Sequence, residues 1–199
     1  MAIPAEQVRA LREATGAGMM DCKRALEATN GDFEKAKDWL RQKGIAKAGT
    51  KSARVAGQGI IATYVHHNHQ LGVLLELNSE SDFVARNDEF RHVAHEIAVH
   101  IAAAEPKYLR RQDVPAEIVD RERKIFEAQA SEAKKPPAVV QKIVEGKLND
   151  FYKREVLLDQ AWAKDDKKTI EQLLKESIAK LGENITISRF ARFKVGEAS

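Results

Sequence analysis

Between residues 59 and 101 the hydrophobic pattern changes period, and that change limits the fold more than any other feature of the chain. Residues 59–65 and 71–77 are rich in β-branched and aliphatic side chains and are separated by His66-His67-Asn68-His69-Gln70. Five polar residues between two such runs suit a hairpin loop, so two antiparallel strands are expected. Beyond them Phe90, Val93, Ala94, Ile97, Ala98 and Ile101 fall on one helical face, capped by Asn87, with Asp88 and Glu89 in the first turn. The joint is Ser81-Asp82-Phe83-Val84-Ala85-Arg86-Asn87. A large apolar Phe beside a carboxylate, in a short connector, is poorly placed to build the chain's own core and well placed to enter another surface. The competing expectation makes Asp82 an ordinary helix cap and folds Phe83 back onto the sheet.

On either side the chain reads as follows. Three short helices occupy residues 1–45. Val8, Leu11 and Arg12 give the first a half-apolar face, Thr15-Gly16-Ala17-Gly18 breaks it, and the second runs from Met19 to Ala28. Asp32 caps the third, whose Phe33, Ala36, Trp39 and Leu40 share a face, and Gly44 is expected to end it. Residues 46–58, rich in Ala, Gly, Lys and Ser, read as a linker, and residues 59–199 as an α+β core. Pro115 opens a charged helix, Lys134-Lys135-Pro136-Pro137 interrupts it, and Val140, Ile143, Val144, Leu148 and Phe151 mark a second. Together they predict a projecting helical hairpin over about 115–154. Thr169-Ile170-Glu171-Gln172 reads as a capping box for a helix that Gly182 terminates. A last strand covers 185–195, with a phase slip at Arg189-Phe190.

Composition excludes several classes. At 43% hydrophobic and 32% charged, the chain is too apolar to be disordered. No apolar run approaches the ~20 residues of a membrane helix. Met1-Ala2-Ile3-Pro4-Ala5-Glu6 carries no secretory pattern, and the single cysteine, Cys22, excludes an internal disulfide. An intracellular protein is expected. The net charge of +3 does not argue for nucleic acid, although Arg41, Lys43, Lys47, Lys51 and Arg54 lie in a stretch without Asp or Glu. An RNA-binding module would use that stretch, but it lacks interleaved aromatics.

Signs of catalysis are thin. Gly44 to Gly49 with Thr50-Lys51-Ser52 approaches a phosphate-binding loop, yet has one residue too many before the Lys and follows a helix instead of a strand. A metal-dependent hydrolase would need more than His66, His67 and His69, or His92 and His95, because no carboxylate or thiolate is placed with them. Cys22 aligns with Ala25 and Leu26, which predicts a buried thiol. Adjacent helical residues point about 100° apart. One of Met19 and Met20 is therefore expected at the surface, where a flexible thioether suits adaptable contacts.

Two motifs go further. Leu11-Arg12-Glu13 with Thr15-Gly16-Ala17-Gly18-Met19-Met20-Asp21-Cys22-Lys23, and Asp82-Phe83-Val84-Ala85-Arg86-Asn87, resemble the two signatures of the bacterial translation elongation factor Ts family. Further matches are Val99-His100-Ile101-Ala102-Ala103, Val144-Glu145-Gly146-Lys147 and Arg192-Phe193-Lys194-Val195-Gly196, so the likeness runs nearly end to end. The resemblance implies a ubiquitin-associated-like N-terminal domain and a cytoplasmic guanine nucleotide exchange factor for the GTPase elongation factor Tu. It implies no cofactor, no metal, no catalytic residue, no membrane and no direct contact with nucleic acid. By the same matching, Ser81, Asp82, Phe83 and Val84 would disturb the magnesium of the GTPase, with Ser81 standing where the family has Thr. Leu11, Met19, Met20, Lys23 and His66 would make further contacts with that partner. The chain resembles the short form of the family, which implies a homodimer.

Overall fold

The structure, a computed structural model, describes residues 3–51, 53–132 and 136–197. It is α+β, as the two periodicities require. The order is α1 (Ala5–Thr15), α2 (Met19–Ala28), α3 (Phe33–Lys51), β1 (Gln58–Val65), β2 (Leu71–Ser79), a single turn α4 (Asp82–Ala85) and α5 (Asp88–Ala104). Then come α6 (Ala116–Glu132), α7 (Pro137–Glu155), β3 (Ala161–Trp162), β4 (Asp165–Thr169), α8 (Ile170–Leu181) and β5 (Ile185–Lys194). The main sheet is antiparallel, with strand order β1-β2-β5, and β3 pairs with β4 in a small sheet of its own. The chain packs as two compact units, one of residues 1–60, 77–93 and 172–186, the other of 61–76, 94–171 and 187–199.

In the first unit, α1, α2 and α3 enclose Val8, Leu11, Cys22, Ala25, Leu26, Ala36 and Leu40. The caps follow the sequence: Gly16 ends α1 at φ 67°, and the Asp32 carboxylate accepts from the Lys35 N–H at 3.0 Å. One boundary departs from it. Gly44 does not stop α3, which continues to Lys51 through residues read as linker; Ser52, in the same stretch, lies outside the described residues. The reason is packing against α8. A Cβ on Gly44 would lie 3.0 Å from the Ala179 Cβ, so the bare glycine lets the two helices meet closely. That contact outweighs the ~1 kcal/mol glycine costs within a helix. On either side Arg41 pairs with Glu176 at 2.8 Å, and Lys51 Nζ donates to the Gly182 carbonyl at 2.6 Å. Three short helices bury little by themselves; here α3 lies against α8.

In the second unit α6 and α7 form the expected helical hairpin around Ala130, Val144 and Leu148, flanked by Val119, Phe126, Val140 and Ile143. Of the predicted interruption, Lys134 and Lys135 lie outside the described residues. Pro136 caps α7, and Pro137 opens it, a position that needs no N–H donor. In β5, Ile185 and Ile187 are buried, and the alternation loses phase at Arg189, within the slip read at Arg189-Phe190.

The β3–β4 hairpin has no counterpart in the sequence reading. Its strands are two residues and a charged pentapeptide, and α5 holds it in place. Lys164 reaches the buried Glu96 at 2.6 Å, and the Ala163 N–H donates to His100 Nδ1 at 3.2 Å. An amide can only donate, so the His100 proton sits on Nε2, which faces the Gln160 carbonyl oxygen at 3.0 Å. Gln160 in turn donates to the carbonyls of Arg154 and Ala104.

Burial holds the His100 pKa below the ordinary imidazole value, with the Gln160 hydrogen bond opposing in part. The unfolded chain therefore binds this proton more readily near and below about pH 6.5. The associated stability is present above that pH and lost as pH falls. Urea midpoints should be lower at pH 5.5 than at pH 7.5, and His100→Gln should shrink the difference. Equal pH dependence in both proteins would contradict the role of His100.

Candidate functional site

β2 ends in Ser79-Glu80-Ser81, and the next four residues turn once as α4. Ser81, at φ −123° and ψ 157°, is the N-cap, so Asp82 is the first helical residue and not the cap. The Ser81 hydroxyl accepts from the Val84 N–H at 3.3 Å and donates to Glu183 Oε1 at 2.6 Å, while its own N–H donates to Glu183 Oε2 at 3.0 Å. Ser79 Oγ donates to the Ser81 carbonyl at 2.8 Å. Val84 and Ala85 turn inward and are buried, and Phe83 turns outward and stays 79% exposed. The expectation that Phe83 packs back on the sheet is therefore overturned; Phe90, in α5, is the fully buried ring. Asp82 pairs with Arg86 at 2.9 Å in the open, where such a pair contributes about 0–1 kcal/mol and is readily exchanged.

The turn into α2 is similarly tied. Thr15 Oγ1 donates to the Leu11 carbonyl at 2.6 Å and accepts from the Ala17 N–H at 3.3 Å, and Cys22 Sγ lies 3.7 Å from the Ala17 carbonyl. Both methionines emerge from this turn, Met19 40% and Met20 65% exposed, so the surface position expected of one of them is taken by both. Lys23, one turn further along α2, is also exposed and lies 3.9 Å from Glu27. Leu11 is fully enclosed by its own bundle and offers no surface. It holds the helix under the display, as Val84 does in α4.

His66 lies in the other unit, at the end of the β1–β2 loop. Its Nδ1 is 2.8 Å from the Tyr64 hydroxyl, and its ring stands 4.2 Å from that of His67. His69, at φ 57°, closes the loop by donating its N–H to the His66 carbonyl at 2.8 Å. No group of three or more metal-binding side chains occurs among the described residues. The stretch read as a near miss to a phosphate loop is helical from Gly44 to Lys51. Among the described residues no helix is long and apolar enough to cross a membrane.

Glu183 is the site residue that the sequence reading missed. It follows the helix-ending Gly182 with no local pattern to mark it, and its partner Ser81 is 102 residues away.

An α+β protein that turns a bare phenylalanine and two methionines outward from tightly tied short segments defines a class by its surface. Comparison with known proteins narrows it to a family. The elongation factor TS family model matches residues 24–197. Elongation factor Ts of Syntrophomonas wolfei is 54% identical over 98% of this chain and 91% of its own length. That of Thermosipho melanesiensis is 52% identical over 98% and 100%, and that of Geobacter sulfurreducens 51% over 99% and 91%. The chain belongs to the elongation factor Ts family.

Burial also raises the pKa of Cys22, beneath the methionine turn. In the folded protein at pH 8 a thiol reagent should modify Cys22 at least about tenfold more slowly than in urea. Equal rates would show the α1–α2 turn to be open.

Proposed function

We propose that the chain is a guanine nucleotide exchange factor for elongation factor Tu that acts by binding alone, with no covalent chemistry. The observation that carries this reading is the outward Phe83 on a turn whose neighbours are tied down. A GTPase holds its nucleotide through backbone groups, a lysine and a magnesium ion bridging phosphate oxygens. In this proposal residues 81–84 enter that site: Phe83 packs into the partner, Asp82 brings a carboxylate near the metal, and Ser81 and Val84 hold the turn. Burying one Phe is worth roughly 1.5–3 kcal/mol. Used to favour the open GTPase, this shifts an equilibrium by about 10–100-fold.

Further affinity comes from Met19, Met20 and Lys23 on the ubiquitin-associated-like domain of residues 1–45, with Leu11 supporting them, and from His66 in the α+β core. Linkage makes the effect reciprocal: a factor that weakens nucleotide binding is itself released by incoming nucleotide. We place the protein in the cytoplasm, with elongation factor Tu. We also propose that two copies associate through the strands of the second unit. There Ile61, Val65, Leu74 and Phe193 are exposed, and Arg189 pairs with Glu76 at 2.7 Å. An open apolar sheet face of this kind calls for a cover.

The Phe83→Ala variant should stimulate release of labelled GDP from elongation factor Tu about tenfold less than the parent, with melting unchanged. A collapse in melting temperature, or undiminished stimulation, would contradict the assignment. Sedimentation at micromolar concentration should show a dimer that Leu74→Glu weakens; a strict monomer would refute the association.

A further inference from the structure

We propose that Glu183 is a positioning residue for the exchange reaction: its carboxylate fixes residues 81–84 in the one orientation that turns Phe83 outward. The functional part of this inference rests on the proposed exchange activity; the structural part does not. One helical turn has no stability of its own, because nucleation fixes several residues for a single hydrogen bond. α4 therefore depends on its surroundings, which supply two things. Val84 and Ala85 are buried, and both polar protons of Ser81 end on the same carboxylate, at 2.6 Å from the hydroxyl and 3.0 Å from the N–H. With its proton committed to Glu183, the hydroxyl keeps a lone pair aimed at the Val84 N–H at 3.3 Å. Remove the carboxylate and the hydroxyl rotor is free, the cap weakens and the direction of Phe83 is no longer fixed.

The clamp is reciprocal. The Asn184 N–H donates to Glu80 Oε1 at 2.6 Å, so residues 80–81 and 183–184 each answer the other's backbone N–H with a carboxylate. Asn184 Nδ2 also donates to the Arg54 carbonyl at 2.7 Å, and the Arg54 guanidinium stands 3.6 Å from Glu80. Two carboxylates share this corner, one of them just past the C-terminus of α8, where the helix dipole disfavours negative charge. An acid in that place is retained by what it binds.

The same end of α8 reaches the second display. Lys180 pairs with Glu89 at 2.7 Å, and its stem runs beside the Gly16 turn, where a Cβ would lie 3.3 Å from Lys180 Cε. The turn that delivers Met19 and the turn that delivers Phe83 thus stand on one support.

The test uses the full chain with Glu183→Ala, Glu183→Gln, Ser81→Ala and the Ser81→Ala/Glu183→Ala double variant. Deuterium uptake in the free protein is measured first. Glu183→Ala removes both charge-assisted hydrogen bonds to Ser81 and should raise uptake over residues 82–86 by at least about tenfold, leaving α1 and α2 unchanged. Glu183→Gln should recover part of the protection, and the double variant should be no worse than the worse single. Stimulated GDP release from elongation factor Tu is then followed against factor concentration. The maximal rate should fall by a similar factor, with half-saturation within about twofold of the parent, the split expected for a misdirected but folded wedge. Unchanged uptake at 82–86, or an equal rise throughout the protein, would overturn the proposal, and so would a loss confined to half-saturation. A parent protein that fails to release GDP would defeat the exchange reading, while the uptake data would still decide the role of Glu183.

Discussion

The hydroxyl of Ser81 is the point on which the site turns. It donates to Glu183 and accepts from the Val84 N–H, and these two bonds convert the end of a strand into one turn of helix. The ~100° step between residues of that turn does the rest: Val84 and Ala85 go inward, and Phe83 is left on the outside. A Thr at this position would keep the same hydroxyl. The exposed ring is an apolar area left in water, which folding alone does not explain, and its neighbours are ordered well enough to keep it from collapsing inward.

A second constraint is the close approach of α3 to α8. Gly44 against Ala179, with Arg41–Glu176 before it and Lys51 on the Gly182 carbonyl after it, lays α3 along α8, the helix that Glu183 follows. The three-helix bundle has its own small core, yet it folds into the same compact unit as residues 77–93. In the second unit the charged hairpin of α6 and α7 is assembled from a narrow apolar seam, and the network around His100 secures β3 and β4.

What the sequence made legible was whatever an element reveals by its own spacing. The inward face of α5, the seam between α6 and α7, the β1–β2 hairpin and the caps at Asp32 and Gly182 are local patterns, and each stands where it was read. What stayed hidden depends on residues distant in the chain. Gly44 reads as a helix stop until Ala179 is beside it. The β3–β4 hairpin has too few apolar residues to announce itself, because Glu96 and His100 hold it from outside. Glu183 carries no local signal. Family resemblance marked Leu11 and Phe83 alike, but only the structure separates them, enclosing Leu11 and leaving Phe83 bare.

Phe83 is offered outward and, in the proposed exchange reaction, taken up by a partner. A fluorinated phenylalanine placed at residue 83 alone would report both states by fluorine NMR. The free protein should give a sharp, solvent-exposed resonance. Adding nucleotide-free elongation factor Tu should move it to a buried position, and adding GDP with magnesium should return it. A resonance already buried in the free protein, or one that stays exposed when the complex forms, would contradict the account.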